Sequence, residues 1–275
     1  MQRKLVLLII LSAFFLPQFL CAGVVTDRIL SSQTLVVGTT GDFPPFASGT
    51  TQGKLIGFDI DLAHKLADAL NVKLQIKQME FAKLLPAVKN GSIDVALSGI
   101  TMVPHRNLEV AFIGPYALSG QSLIGKEALI STLTNSEQLA NANFKIAVLK
   151  GTTSEKVARR GMPLAQLTPT DTHDQSLMLL IDGKVEAILA DLPFCKVVEF
   201  RYPQHNFKAL AETLTFEPLG IALSGEDHLF HNLIQNFLII IEESGTLQNM
   251  KNRWFKSNSW IKELPDMDFF KELEK

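Results

Sequence analysis

The sequence predicts an α/β fold in two lobes, and three observations carry that expectation. Short apolar runs alternate with stretches of helical periodicity from about residue 34 onward, the pattern of strands and helices interleaved in an open, mainly parallel sheet. The length of 275 residues corresponds to about two domains. A content of 47% hydrophobic against 20% charged residues supplies a core for each.

The elements follow in order. Leu35-Val36-Val37 is the first strand candidate, and Phe58, Leu62, Leu66 and Leu70 recur at intervals of four to mark one buried helical stripe that Asn71 stops. A strand over Val72 to Ile76, a helix around Phe81 to Val88 closed by Asn90-Gly91, and a strand over Ile93 to Leu97 complete a first lobe by about residue 115. A second series begins at Ser122-Leu123-Ile124. It continues through Lys145 to Leu149, a helix after Gly151, a helix from His173 to Ile181 closed by Asp182-Gly183, and a strand over Ala187 to Ala190. The apolar run Phe237 to Ile241 is cut off by Glu242-Glu243, and Leu229, Leu233 and Phe237 give it helical spacing, so it reads as a core helix rather than a membrane span.

Composition excludes several function classes. Lys plus Arg at 26 against Asp plus Glu at 28 gives a formal net charge of -2, without the cationic excess by which a nucleic-acid binder displaces counterions. Residues 1–23 have the three parts of a secretory signal: Arg3 and Lys4, the apolar run Leu5 to Phe15, and small residues at Cys21-Ala22-Gly23. Removing those two bases leaves 24 against 28, a mature charge of -4 on a chain starting near Val24. Cys21 could instead carry a lipid anchor, although Leu20 and Gln18 fit a lipidation signal poorly. No cofactor is expected: no Gly-Lys-Ser/Thr follows Gly151, and no Gly-x-Gly-x-x-Gly follows a strand. No metal site is expected either, since the histidines offer only the pair His228 and His231 at helical spacing. Cys195 beside Phe194 and Val197 reads as a buried, inert thiol.

Chemistry concentrates where strands end, because open α/β sheets bind ligands outside the carboxyl ends of their strands. Ser98-Gly99-Ile100-Thr101 offers small residues and hydroxyls, and Arg106 offers a planar fork for a carboxylate, with a solvated surface arginine as the plain alternative. Gly151-Thr152-Thr153-Ser154 opens a helix whose N–H groups suit an anion, or is an ordinary N-cap. Asp191 ends an apolar strand, where it holds an ammonium group or simply caps a turn. Phe43 and Phe81 follow Asp42 and Glu80 at strand exits.

These residues resemble the family 3 solute-binding proteins of bacterial amino-acid ABC transporters, which have the type 2 periplasmic-binding fold. The resemblance runs from about Thr34 to Phe255 through LVVGTTGDFPPF, GKLIGFDIDLAHKLADAL, MEFAKLLPAVKNGSIDVALSGITMVPHRNLEVAF, IAVLKGTTSE, DGKVEAILADLP, GIAL and SGTLQNMKNRWF. It implies a first lobe of residues 24–118 and 215–275, a second of residues 119–214, and two crossover strands as hinge near Tyr116 to Gln121 and Thr213 to Ile221, with Gln121 added to the candidate site. It also implies a periplasmic monomer that binds a free amino acid in the cleft and serves a separately encoded permease. Arg106, with Ser98, Gly99 and Thr101, matches the family's carboxylate site, and Thr152 and Thr153 meet the same carboxylate from the second lobe. Asp191 matches the acid that holds the α-ammonium, and Phe43 and Phe81 match rings that cover the ligand's side chain.

The chain departs from the family at Thr40, where many members that bind polar or basic amino acids have an aspartate; Asp42 comes two residues later. With Asp42 and Glu80 next to the rings, a basic or polar side chain is expected, arginine first. GTTGDFPPF and GTTSEK also resemble periplasmic cyclohexadienyl dehydratases, enzymes on the same fold. That resemblance implies a general-acid glutamate three residues after Asp191, where this chain has Phe194, so binding is expected rather than catalysis.

Overall fold

The structure is a computed structural model that describes residues 23–133, 135–141 and 143–266. The expected leader and Cys21 lie outside the described residues.

Two five-stranded sheets organise the chain. The first runs in spatial order Lys73–Gln78, Thr34–Thr39, Val95–Ala96, Glu217–Leu223, Ala111–Ser119. The second runs Gln166–Thr170, Lys145–Leu149, Ala187–Asp191, Gln121–Lys126, Phe207–Ala209. Each sheet has two parallel pairings at one side and two antiparallel ones at the other, so "mainly parallel" describes only half of each. The antiparallel strands are those next to the passages between sheets. The chain leaves the first sheet at Ser119, turns at Gly120 and enters the second at Gln121; it returns between Ala209 and Glu217. The two passages are tied together by Leu214 N–H donating to Gln121 O at 2.7 Å and by Gln121 N–H donating to Thr215 Oγ1 at 3.0 Å.

Local sequence explains the elements that carry the site. Helix Phe58–Leu70 buries Phe58, Leu62 and Leu66, each worth roughly 1.5–3 kcal/mol of apolar burial, and ends where Asn71 takes the left-handed conformation at φ 53°. Helix Thr153–Gly161 begins at Thr152, whose hydroxyl accepts from Glu155 N–H at 3.2 Å, and helix His173–Ile181 begins at Thr172, whose hydroxyl accepts from Gln175 N–H at 3.1 Å. Both starts face the cleft between the sheets.

Several elements depart from the expectations. Helix His228–Glu243 buries Phe230, Ile234, Phe237, Leu238 and Ile241, while Leu229 is half exposed; Phe237 is in the core as expected, but the first turns bury Phe230 and Ile234 in place of Leu229 and Leu233, and Asp227 caps the helix by accepting from Phe230 N–H and Thr26 N–H. Among the described residues no helix is long and apolar enough to cross a membrane. Helix Val24–Ser32, the strand Gln166–Thr170 and the small sheet of Asp42–Phe43, Ala47–Gly49 and Leu55–Ile56 are additional to the predicted elements.

Candidate functional site

The two sheets point the carboxyl ends of their parallel strands at one another, and the loops that leave those ends converge on a small, closely packed cavity. From the first lobe it is lined by Phe43, Phe81, Gly99, Thr101 and Arg106, and from the second by Thr152, Thr153, Ser154, His173 and Asp191. Thus eight of the twelve sequence-predicted residues line one cavity: Phe43, Phe81, Gly99, Thr101, Arg106, Thr152, Thr153 and Asp191.

Arg106 opens a short 3-10 turn just after the strand Val95–Ala96 and is 5% exposed. It donates from Nη1 to Thr101 O at 2.9 Å within its own lobe and from Nη2 to Gly151 O at 3.1 Å across the cleft. A guanidinium has several further N–H donors, so both groups keep capacity for a carboxylate. Burial lowers its pKa to about 10, against the pull of Glu217 and Asp191, and it stays charged at neutral pH.

Asp191 is the last residue of its strand and is 8% exposed. Burial raises its pKa to about 6, opposed by hydrogen bonding that includes Gln121. Gln121 Nε2 donates to Asp191 Oδ2 at 3.2 Å and to Thr153 Oγ1 at 3.1 Å, and Gln121 Oε1 accepts from the Ser154 hydroxyl. Asp191 Oδ1 is buried with no hydrogen-bond partner among the described residues. A buried carboxylate oxygen in that position accepts an ammonium proton at little extra desolvation. Gln121 is therefore the brace that fixes acid and helix start relative to each other, and it sits behind the cavity wall.

At the second-lobe helix start, the Thr152 hydroxyl is committed to capping, donating to Leu149 O at 2.6 Å while accepting from Glu155 N–H. What that helix offers the cavity is the N–H groups of its first turn, which have no acceptor within the helix, together with the positive end of its dipole. Ser98 stands behind the wall in the same way: it is fully buried and shares a hydrogen bond of 3.0 Å with Thr40 Oγ1. Gly99 has φ +57°, and a Cβ on it would lie 2.7 Å from Phe43 Cε1, so only glycine lets this loop carry the ring. Its N–H donates to Asp59 Oδ2 at 2.7 Å.

Asp42 and Glu80, expected beside the ligand's side chain, do not line the cavity. Asp42 alternates with Phe43 along a short strand, so the ring faces inward and the carboxylate faces the other lobe, where its Oδ2 accepts from His173 N–H at 2.6 Å. The hydrogen bonds and charge of His173 outweigh burial and hold the Asp42 carboxyl below the usual range. Glu80 is exposed and pairs with Lys83 at 2.9 Å.

The residue that sequence reasoning missed is His173. It stacks on Phe43 with centroids 4.3 Å apart and planes 11° apart, and touches Phe194 at 4.9 Å. The readable signal was its place directly after the N-cap Thr172, at the exit of the strand Gln166–Thr170.

The pattern of opposite charges from opposite lobes meeting at one cavity agrees with what comparison finds: residues 35–257 match the model of the bacterial extracellular solute-binding proteins, family 3. The chain belongs to that family. Its relatives include the cyclohexadienyl dehydratase of Pseudomonas aeruginosa, 30% identical over 237 residues, covering 84% of this chain and 85% of that protein. Among solved structures, a putative binding component of an ABC transporter from Wolinella succinogenes complexed with lysine is 31% identical with a TM-score of 0.79, over 84% of this chain and 99% of that one. A mutant of ArgBP from T. maritima is 29% identical with a TM-score of 0.79, over 85% and 100%. Such solute-binding proteins have the two-lobed periplasmic-binding architecture described above.

Proposed function

We propose that this protein binds a free amino acid in the periplasm and presents it, as a monomer, to the permease of an ABC transporter. The observation that carries the reading is that Arg106 and Asp191 reach one buried cavity from opposite lobes. An amino-acid zwitterion has a carboxylate and an ammonium on neighbouring atoms, so it satisfies both groups at once. The carboxylate takes the remaining Arg106 donors and the first-turn N–H groups of helix Thr153–Gly161; the ammonium takes the unpartnered Asp191 Oδ1. Each end of the ligand thereby tethers a different lobe, and binding favours closure about the passages at Gly120 and residues 210–216. Closure in turn completes the protein's own cross-cleft bonds, Arg106 to Gly151 O and His173 N–H to Asp42.

The Wolinella neighbour, complexed with lysine, supports an amino acid as the ligand class. What weighs against arginine for this chain is that Asp42 and Glu80 are both engaged outside the cavity.

The dehydratase relative motivates the one competing reading. Elimination of a hydroxyl group needs a proton donor at the leaving oxygen, and the position implied for it holds Phe194, buried against Phe43 and His173. A thermal-shift panel of amino acids, prephenate and arogenate separates the two, since a ligand of the folded state alone raises apparent stability as RT ln(1 + [L]/Kd). The expected result is stabilisation by an amino acid and no phenylpyruvate or phenylalanine formed. Turnover of either acid at about 1 per second, ordinary for an enzyme, overturns the binding reading.

A further inference from the structure

We propose that His173 is the residue that sets ligand choice here: it closes the slot between the two phenylalanines and makes the site select a small uncharged amino acid over a cationic one. The proposal rests on the amino-acid reading above and specifies it.

A guanidinium or a long chain bound between Phe43 and Phe81 needs a free ring face on each side. Phe43 already stacks on Phe46 at 5.0 Å and on His173, and Phe81 already carries a guanidinium. The face of Phe43 is covered by the His173 imidazole, nearly parallel at 4.3 Å, and the face of Phe81 is covered by the Arg106 guanidinium at 5.4 Å from the ring centre. The protein's own planar groups occupy the two stacking positions.

His173 is held there from three directions. Its backbone N–H donates to Asp42 Oδ2 at 2.6 Å, its ring Nδ1 faces Asp42 Oδ1 at 3.7 Å, and Phe194 closes the side away from Phe43 at 4.9 Å. Its side chain is 6% exposed. Swinging the ring aside would uncover Phe43 and Phe194 and separate the imidazole from Asp42, so the ring is a wall rather than a gate. Its position at the first turn of helix His173–Ile181, on the second lobe, means the wall arrives only as the lobes come together.

Charge leads to the same selection. Among the cavity-lining residues Asp191 is the one carboxylate, and a zwitterion's α-ammonium uses it. A second positive charge on the ligand would share the cavity with Arg106 and find no further carboxylate on its lining, Glu217 lying behind the wall and acting on Arg106 itself, which is a strong penalty in a desolvated site. Around the side chain of the ligand the lining is Gly99, Thr101, Phe43, Phe81 and the His173 ring, packed closely enough to favour a short side chain. Alanine, serine, threonine and valine have the short uncharged side chains that such a wall favours.

Calorimetry at one pH with these four amino acids, glutamine, arginine and lysine tests the proposal on the wild-type protein and two variants. The tightest wild-type ligand is expected among the four, with arginine and lysine weaker by roughly tenfold or more. His173→Ala opens the slot and should shift the arginine-to-alanine affinity ratio at least about tenfold toward arginine, whereas His173→Phe restores a flat ring and should keep the wild-type ratio. A merely structural role for His173 would weaken all ligands alike and leave the ratio unmoved, which would overturn the proposal. So would arginine or lysine as the tightest wild-type ligand, a result that leaves the amino-acid reading standing. If no amino acid binds the wild type, that underlying reading fails and the proposal fails with it. Should His173→Ala not fold, the wild-type ranking and the His173→Phe ratio still decide.

Discussion

The two lobes bring different kinds of group to the same cavity. The first lobe contributes a cation on a turn and two rings: Arg106 is anchored by Thr101 O, and Phe43 is seated on Gly99. The second contributes an acid, a helix start and an imidazole, bound into one unit by Gln121 and by the caps Thr152 and Thr172. Neither half holds a complementary pair of charges for a zwitterion. In the proposed reading recognition and closure are one event, and a change on either lobe should reveal which end of the ligand that lobe holds.

The largest effect is expected from the first lobe. Arg106→Ala removes the carboxylate's partner from a buried site and also the bond to Gly151 O, so amino-acid affinity should fall by roughly 2–5 kcal/mol, measured by calorimetry. The circular dichroism spectrum should stay that of the folded protein, because the Arg106 side chain makes its hydrogen bonds to loop carbonyls of Thr101 and Gly151. Affinity within about threefold of wild type would remove the first lobe's cation from the site.

Asp191→Asn is the matching change on the second lobe, and should cost about 1.5–3 kcal/mol, the range for a hydrogen bond to a charged group. It carries a pH signature that Arg106→Ala lacks. The free Asp191 carboxyl has its pKa raised to about 6, and only the ionised form holds an ammonium. Wild-type affinity should thus be level above pH 6 and fall about tenfold per pH unit below it, while the asparagine variant shows no such slope. A wild-type profile flat from pH 5 to 8 would mean that the ammonium is held elsewhere.

The place of Arg106 and Asp191 on the cavity was legible in the sequence because each lies at or beyond the end of a strand next to its own local signal, small residues before Arg106 and an apolar strand before Asp191. The stripe of Phe58, Leu62 and Leu66 was legible for the same local reason. What escaped depended on contacts between distant segments. The strand Gln166–Thr170 contains Pro169, which argues against a strand, yet it lies at the edge of its sheet, where a missing N–H is tolerated. Without that strand, His173 had no strand exit to mark it. Asp42 stood beside a correctly chosen ring, but alternation turned its carboxylate to the other lobe. The start of helix His228–Glu243 is fixed by Asp227, whose second partner Thr26 is distant in sequence.

The contact between lobes can be weakened without touching either charged anchor. Asp42→Ala leaves the His173 N–H and the first turn of its helix without an acceptor from the first lobe, a loss comparable to that of a helix cap, about 0.5–2 kcal/mol. Because the contact exists only when the lobes meet, the cost should fall on closure. The radius of gyration of the ligand-free variant in small-angle scattering should exceed that of wild type, with a smaller loss in affinity than for Arg106→Ala or Asp191→Asn. Equal scattering for the two proteins would show that this contact does not bias closure.

The smallest effect on affinity is expected at Asp59, which lies beneath the loop that carries Gly99 and does not line the cavity. Its Oδ2 accepts from Gly99 N–H at 2.7 Å, its residue is fully buried, and the Tyr116 hydroxyl lies beside it. Burial raises the Asp59 pKa to about 7, although the Gly99 N–H and Tyr116 pull it down. A carboxyl whose folded pKa is raised keeps its proton in the folded state while the unfolded chain releases it near the ordinary value of 3.8, so stability declines as pH rises from about 4 to about 7 and is level above that. Asn has the same shape and retains an oxygen for Gly99 N–H, but has no proton to lose. Asp59→Asn should therefore bind ligand within about threefold of wild type at pH 7, since the loop keeps its anchor. Its melting temperature relative to wild type should climb between pH 4.5 and 7.5, by a stability difference of about 1–4 kcal/mol given about 1.4 kcal/mol per pKa unit. A difference that stays constant across that range would mean that Asp59 is already ionised in the folded protein. A loss of affinity much greater than threefold would instead mean that its charge, and not only its shape, holds Gly99 against Phe43.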